Sequence, residues 1–194
     1  MIDESSRNNL DEYLKSYKKA SGSILEQIAD GEVATLIELL GRARDNDHQI
    51  FLCGNGGSAA TASHFANDLG KGASCGRSKR FRVLALTDNI SWITALANDA
   101  DYSQIFVEQL KNYANSNDLL VAFSGSGDSP NILEAVRWGN ENGLLTIGIT
   151  GRPGGELGKI ARHPIFVESS HMGHIEEGHF LIQHMVGYYF MENE

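Results

Sequence analysis

The chain has little cysteine, no excess of basic residues and no long apolar run, and each shortage narrows what it can be. Only two cysteines occur among 194 residues, Cys53 and Cys75, in unlike contexts. Cys53 closes an apolar run, where a reduced core residue is expected and a disulfide is not. Lysine and arginine number 16 against 25 aspartates and glutamates, a formal net charge of −9. Without a basic excess nothing drives counterion release from a nucleic-acid backbone, which argues against direct nucleic-acid binding. A small anionic ligand stays open, because a local site can hold one by backbone donors. No apolar run approaches the roughly 18 residues of a membrane-spanning helix, and no export signal is visible. A cytoplasmic chain with no membrane partner is expected. No internal repeat, low-complexity tract or linker breaks the sequence. With 41% hydrophobic and 21% charged residues, 194 residues suit one well-buried globular domain.

Five apolar, β-leaning runs stand out: 49–53, 82–86, 119–123, 144–149 and 164–167. Four are nearly continuous in hydrophobicity, the mark of strands covered on both faces. Helical patterns at 32–44, 58–69, 102–114 and 131–142 fall around and between them, with Gly143 placed to end the last. Such alternation predicts an α/β fold, a three-layer α/β/α sandwich on a five-stranded parallel sheet. The ends lie outside the alternation. Residues 3–30 read as a helix with an apolar stripe (Leu10, Tyr13, Leu14, Tyr17, Ile24, Leu25, Ile28), and 175–190 as a closing helix. Apolar stripes on terminal helices serve packing on a second copy or on the home sheet. Residues 1–31 are read as an N-terminal oligomerisation helix and 32–194 as the sandwich core with its closing helix.

In an open parallel sheet, ligands bind beyond the carboxyl ends of the strands. Cys53-Gly54-Asn55-Gly56-Gly57-Ser58 runs from the first strand through a glycine turn into a helix. Its backbone can approach a ligand closely, and the helix N-terminus offers free N–H groups to an anion. A plain strand–helix connection would not need so permissive a turn. On the same helix His64 and Asp68 stand four residues apart and share a face, as a metal pair or an acid/base pair requires. After the third strand comes Ser124-Gly125-Ser126-Gly127-Asp128-Ser129-Pro130. Pro130 suits the first helical position and Ser129 the N-cap. A capped turn would use Ser129 alone, whereas three hydroxyls and two glycines at a helix start make a phosphate nest. Asp128 is expected to turn away from an anion or to bond local backbone.

The closing segment gathers His171, His174, Glu176, Glu177, His179 and His184, so four of the seven histidines fall within fourteen residues. Taken alone, they are as readily surface histidines and dipole-complementing acids as ligands. Joined to His64 and Asp68 they become a candidate metal set, since imidazole and carboxylate suit zinc. Glu176 and His184, eight residues apart, stand roughly 12 Å apart along an ideal helix. One ion reaches both only through a distorted first turn, inward side chains or contributions from different subunits. Glu177 lies closer to His184 on the helical wheel and remains an alternative to Glu176.

Together with His-Phe-Ala at 64–66, Ala-Asn-Asp at 97–99, Thr-Gly at 150–151, Gly-Gly at 154–155 and the Glu-Glu-x-His of the closing helix, these loops resemble the sugar isomerase (SIS) domain family over nearly the whole chain. Within it they look most like the phosphoheptose isomerases. The resemblance implies a homo-oligomer, usually a tetramer, with active sites at subunit interfaces. It implies phosphate held by Ser58, Ser124, Ser126 and Ser129 within a substrate site that also uses Asn55, Gly56, Gly57, Asp99, Gly125 and Glu176. One zinc per subunit would be held by His64, Asp68, Glu176 and His184. The implied reaction converts sedoheptulose 7-phosphate into D-glycero-D-manno-heptose 7-phosphate, with Asp68 as base and His184 as second acid/base. Moving a proton between adjacent carbons through an enediolate needs such a pair, together with something to stabilise the oxyanion.

Three departures from the family pattern cluster around the sugar. Asp68 stands where the family has glutamate, Glu176 where it has glutamine, and Gly70-Lys71-Gly72 where it has Thr-Gly-Arg. They imply a retained phosphosugar site with altered sugar preference. They also keep a non-catalytic alternative in view, a SIS protein that senses a phosphosugar or assists the DnaA replication initiator.

Overall fold

The computed structural model describes residues 4–193. Its centre is a five-stranded sheet: β1 (Gln49–Gly54), β2 (Arg82–Ala85), β3 (Leu119–Ser124), β4 (Leu145–Gly151) and β5 (His163–Val167). The strands lie in the order β2-β1-β3-β4-β5 and every pairing is parallel. The doubly covered sheet expected from the sequence is therefore present. Successive side chains on a strand point to opposite faces, and the two faces carry separate cores. Ile50 and Leu52 of β1 join Val121 and Phe123 of β3 in one core. Phe51 and Cys53 join Leu120 and Ala122 in the other. This explains why β1 and β3 read as unbroken apolar runs. Cys53 is fully buried with a free thiol, and burial drives its pKa far above the ordinary value.

The first core is closed by α2 (Asp30–Asp45), α3 (Gly57–Asn67) and the closing helix α8 (Met172–Asn193). The long first helix α1 (Glu4–Leu25) packs on α8. The second core lies under α5 (Val107–Tyr113), α6 (Pro130–Glu141) and the short α7 (Leu157–Ile160). The segment expected as one helix over 102–114 divides into a 3-10 turn (Tyr102–Gln104) and α5, with Asp101 accepting the Ser103 N–H at the head of the turn. Between β2 and that turn stands a helix the sequence reading did not foresee, α4 (Ile90–Asp99). Its start is capped by the Asn89 side chain, which accepts the Trp92 N–H at 3.1 Å.

The helix expected over 58–69 also changes character. From Asp68 to Gly72 the backbone widens into a π turn, closed by the Ala73 N–H donating to the Asp68 carbonyl at 2.7 Å. Such widenings recur at functional sites. Here the turn begins at a residue already singled out for chemistry.

Candidate active site

The strand order reverses direction between β1 and β3, so the crevice between the loops that leave these strands is where a ligand is received. The two loops are tied across it. Asn55 Nδ2 donates to Asn131 Oδ1 at 2.9 Å, and Asn131 Nδ2 donates to Asn55 Oδ1 at 2.8 Å. The Tyr102 hydroxyl also donates to Asn55 Oδ1, at 3.2 Å. Asn131 and Tyr102 were not read from the sequence as site residues. The position of Asn131 directly behind the serine loop was the available signal.

Within that loop Ser124 Oγ accepts the Gly127 N–H at 3.1 Å and Ser126 Oγ accepts the Asp128 N–H at 3.2 Å. The Ser126 proton thus remains free for an anion, whereas Ser124 Oγ donates a long bond to Ser129 Oγ. Ser129 occupies the N-cap of α6 without bonding the helix backbone; its hydroxyl stands 3.5 Å from that of Ser124. A plain capped turn is therefore not what these hydroxyls make. Asp128 turns its Oδ1 to the Glu156 N–H at 2.8 Å, a local backbone bond as expected. Gly127 has φ +74°, and a Cβ there would run into the Gly154 carbonyl. The serine loop is thus pinned to the loop behind β4, and only glycine permits the contact.

Further along α3, His64 and Asp68 meet His184 of α8. Their ligand atoms lie within 4.8 Å of one another. His64 Nε2 is 3.2 Å from His184 Nε2 and 3.3 Å from Asp68 Oδ2. Asp68 is buried, and its Oδ2 has no hydrogen-bond partner among the described residues. In a tetrahedral zinc site with nitrogen and oxygen ligands at about 2.0–2.1 Å, neighbouring ligand atoms stand about 3.3 Å apart. Two of the trio's separations are at that spacing and the third is within 4.8 Å, so an orphaned carboxylate oxygen beside two imidazole nitrogens fits a divalent cation. The His64 side chain remains 41% exposed, so the group is open on one side. Phe180 packs against both imidazoles, with ring centroids 5.0 Å from His64 and 4.6 Å from His184.

The other residues of the closing cluster go elsewhere. Glu176 does not join the trio within this chain. Its carboxylate lies over Gly57 at the start of α3, where a Cβ would come within 2.5 Å of Oε1. Glu177 faces α1, accepting the Tyr17 hydroxyl at 3.0 Å. That bond, followed by burial, raises the Tyr17 pKa. His171 and His174 pack around the same tyrosine ring. His179 is fully buried against Phe123, and burial lowers its pKa to about 4. Asp99 stands exposed at the end of α4, accepting Asn98 Nδ2 at 2.7 Å. Lys71 lies exposed on the π turn. Between α1, α3 and α8 opens a cleft of about 600 Å³, lined among others by Tyr17, Gly57, Glu176, Glu177, Phe180 and His184. Tyr17 entered the sequence reading only as part of an apolar stripe, although its hydroxyl serves a site acid.

Comparison with known proteins agrees with this geometry. Residues 12–151 match the SIS domain family. The phosphoheptose isomerase of Campylobacter jejuni is 38% identical over 162 residues, covering 81% of this chain and 84% of that protein. That of Aneurinibacillus thermoaerophilus is 34% identical over 182 residues and 91% of each chain. Among solved structures, a phosphoheptose isomerase from Neisseria gonorrhoeae superposes with a TM-score of 0.86 at 30% identity, covering 93% of this chain and 98% of its own. One from Francisella tularensis does so with a TM-score of 0.85 at 28% identity, covering 97% and 99%.

Proposed function

The chain belongs to the SIS domain family and acts as an aldose–ketose isomerase on phosphosugars, and from that premise we propose that it interconverts sedoheptulose 7-phosphate and D-glycero-D-manno-heptose 7-phosphate with one zinc per subunit. The observation that carries the reading is the convergence of His64, Asp68 and His184 on one point, with an unpartnered buried carboxylate oxygen among them. The spacing of the two halves of the site supports a long sugar. From Ser58, beside the phosphate loops, to His64 is six helical residues, a rise of about 9 Å. An extended chain from C2 to a phosphate on C7 spans a similar roughly 9 Å with ordinary single bonds.

In this reading the phosphate rests among the Ser124, Ser126 and Ser129 hydroxyls, with Ser58 closing the nest. Gly56, Gly57 and Gly125 let the backbone come close, the second Nδ2 proton of Asn55 donates to a sugar oxygen, and Asp99 receives a sugar hydroxyl. Asp68 removes the C1 proton of the ketose; the C–H electron pair becomes the C1–C2 double bond, and the carbonyl oxygen becomes the enediolate oxygen. Return of the proton to C2 gives the aldose. His184 moves the hydroxyl proton between the two oxygens. His64, Asp68 and His184 hold the metal, and Glu176 of a neighbouring copy completes the set, since within one chain it lies over Gly57. Zinc, when bound, supplies Lewis acidity for the developing oxyanion.

That arrangement requires an oligomer. We assign residues 1–31 to its assembly, as a tetramer in a cytoplasmic enzyme. Among the described residues, no helix is long and apolar enough to cross a membrane.

The test is a coupled assay with sedoheptulose 7-phosphate on metal-free protein, repeated after zinc is added. Zinc-dependent turnover, abolished by His184→Ala, is the expected result. Zinc binding without turnover of this sugar would overturn the assigned substrate.

A further inference from the structure

At the opposite end of the sheet, a groove of about 520 Å³ lies between the last turns of α2 and the amino ends of β3 and β4. Its polar lining is basic or neutral: Arg42, Arg162, His48 and His163, with Asn46 and Asn117. Among the described residues no carboxylate lines it, although acids outnumber bases 25 to 16 along the chain. Glu32 borders only the adjoining smaller hollow, where its Oε2 accepts the Phe166 N–H. The floor is apolar, formed by Leu39, Leu119 and Leu145.

Helices α2 and α6 both end here, and basic residues at helix C-termini ordinarily serve the dipole. Arg162 does so, donating from Nη2 to the Asn140 carbonyl at 3.0 Å. Arg42 does not. The α2 carbonyl at its own position is already taken by Asn46, through Nδ2 at 2.7 Å and the backbone N–H at 3.1 Å. The Arg42 guanidinium makes no hydrogen bond or ion pair with another described residue. His48 has only a distant contact, 3.9 Å to Asp118, and that carboxylate is engaged by the Gln49 and Asn115 N–H groups.

We propose that this groove is a second ligand site, separate from the isomerase centre, for a small organic phosphate of nucleoside monophosphate size. The phosphate lies between the Arg42 fork and the Nη1 side of Arg162, whose Nε and Nη2 are held by Asn140, and the flat body rests on the leucine floor. The volume falls in the range of small-molecule sites.

Calorimetry with AMP tests this on the full chain carrying Ser124→Ala and Ser126→Ala, which strips the serine loop of two anion donors. Saturable AMP binding should persist in that variant, tighter than binding of inorganic phosphate, which lacks the body. Adding Arg42→Gln should weaken it at least about tenfold, and Arg42→Glu should remove it. Three results would overturn the proposal: no saturable binding, binding lost with the serines alone, or binding indifferent to both Arg42 variants. Loss with the serines would put the nucleotide in the substrate loop.

Discussion

Two buried side chains on facing helices, Asp68 and His179, meet burial in opposite ways. Asp68 keeps an oxygen without a hydrogen-bond partner beside two imidazoles, an arrangement that favours a ligand or a proton in transit. Replacing Asp68 by asparagine keeps the shape and removes the base. kcat should fall by at least about 100-fold, the usual scale of general-base catalysis, while the KM for sedoheptulose 7-phosphate stays within a few-fold. A kcat within tenfold of the parent would remove Asp68 from the proton-transfer role. His179 is a buried imidazole with both ring nitrogens unpartnered among the described residues, and burial holds its pKa near 4 against an ordinary 6.5. Between those values the unfolded chain takes up a proton that the folded chain refuses. Its neutral state therefore costs no stability above about pH 6.5, and stability is lost as the pH falls towards 4, by roughly 3 kcal/mol in all. Urea unfolding of His179→Leu should show a flatter dependence on pH across that window than the parent. Identical slopes would show that another group titrates. The sequence could mark His179 as one of a cluster. Which of the three histidines on α8 faces the site depends on how the helix is rotated about its axis, and only packing against β3 and α3 fixes that.

Among the elements, strands were the most legible, because coverage on both faces writes a nearly continuous apolar run into β1, β3 and β4. The helix α4 was not legible. Ile90, Ile93 and Thr94 are β-branched, which lowers helix propensity, and none of its residues is fully buried, with Ile93 and Leu96 only partly covered against the core. The π turn after α3 was hidden as well, since residues 58–69 keep a helical pattern while the hydrogen bonding changes at Asp68. The serine loop, by contrast, was readable in detail, because glycine, serine and proline each carry positional meaning there. What the sequence did not display was its partner, the loop behind β4 that seats Gly127 against Gly154. Gly127→Ala tests that pairing. It forces a side chain into the left-handed region and against a carbonyl, so the loop must shift. The expected result is a KM for the sugar phosphate and a Ki for inorganic phosphate both raised at least about tenfold, with the far-ultraviolet circular dichroism unchanged. A normal phosphate Ki would mean that the loop's conformation does not hold the phosphate.

As a whole, the molecule leaves its chemistry exposed and its terminal helices apolar. His64 is 41% accessible in a site where enediolate chemistry gains from exclusion of water. Around it α8 exposes Phe180, Met185, Tyr188 and Tyr189, and α1 exposes Leu10, Tyr13 and Leu14. The two helices lie against each other. A second copy covering them would bury apolar surface, shield the imidazoles and bring another Glu176 within reach of the trio. Leu14 tests this, since it sits on α1, is 48% exposed and has no place in the trio or the phosphate loops. The parent should sediment well above its 21.2 kDa chain mass. Leu14→Arg should shift it towards the monomer, because an arginine facing its counterpart across an apolar contact is costly to desolvate. If the site is completed between copies, that dissociation lowers kcat in proportion to the monomer fraction. Inorganic phosphate should still bind, because the serine loop lies within one chain. A monomeric Leu14→Arg protein with full turnover would show that one chain is sufficient.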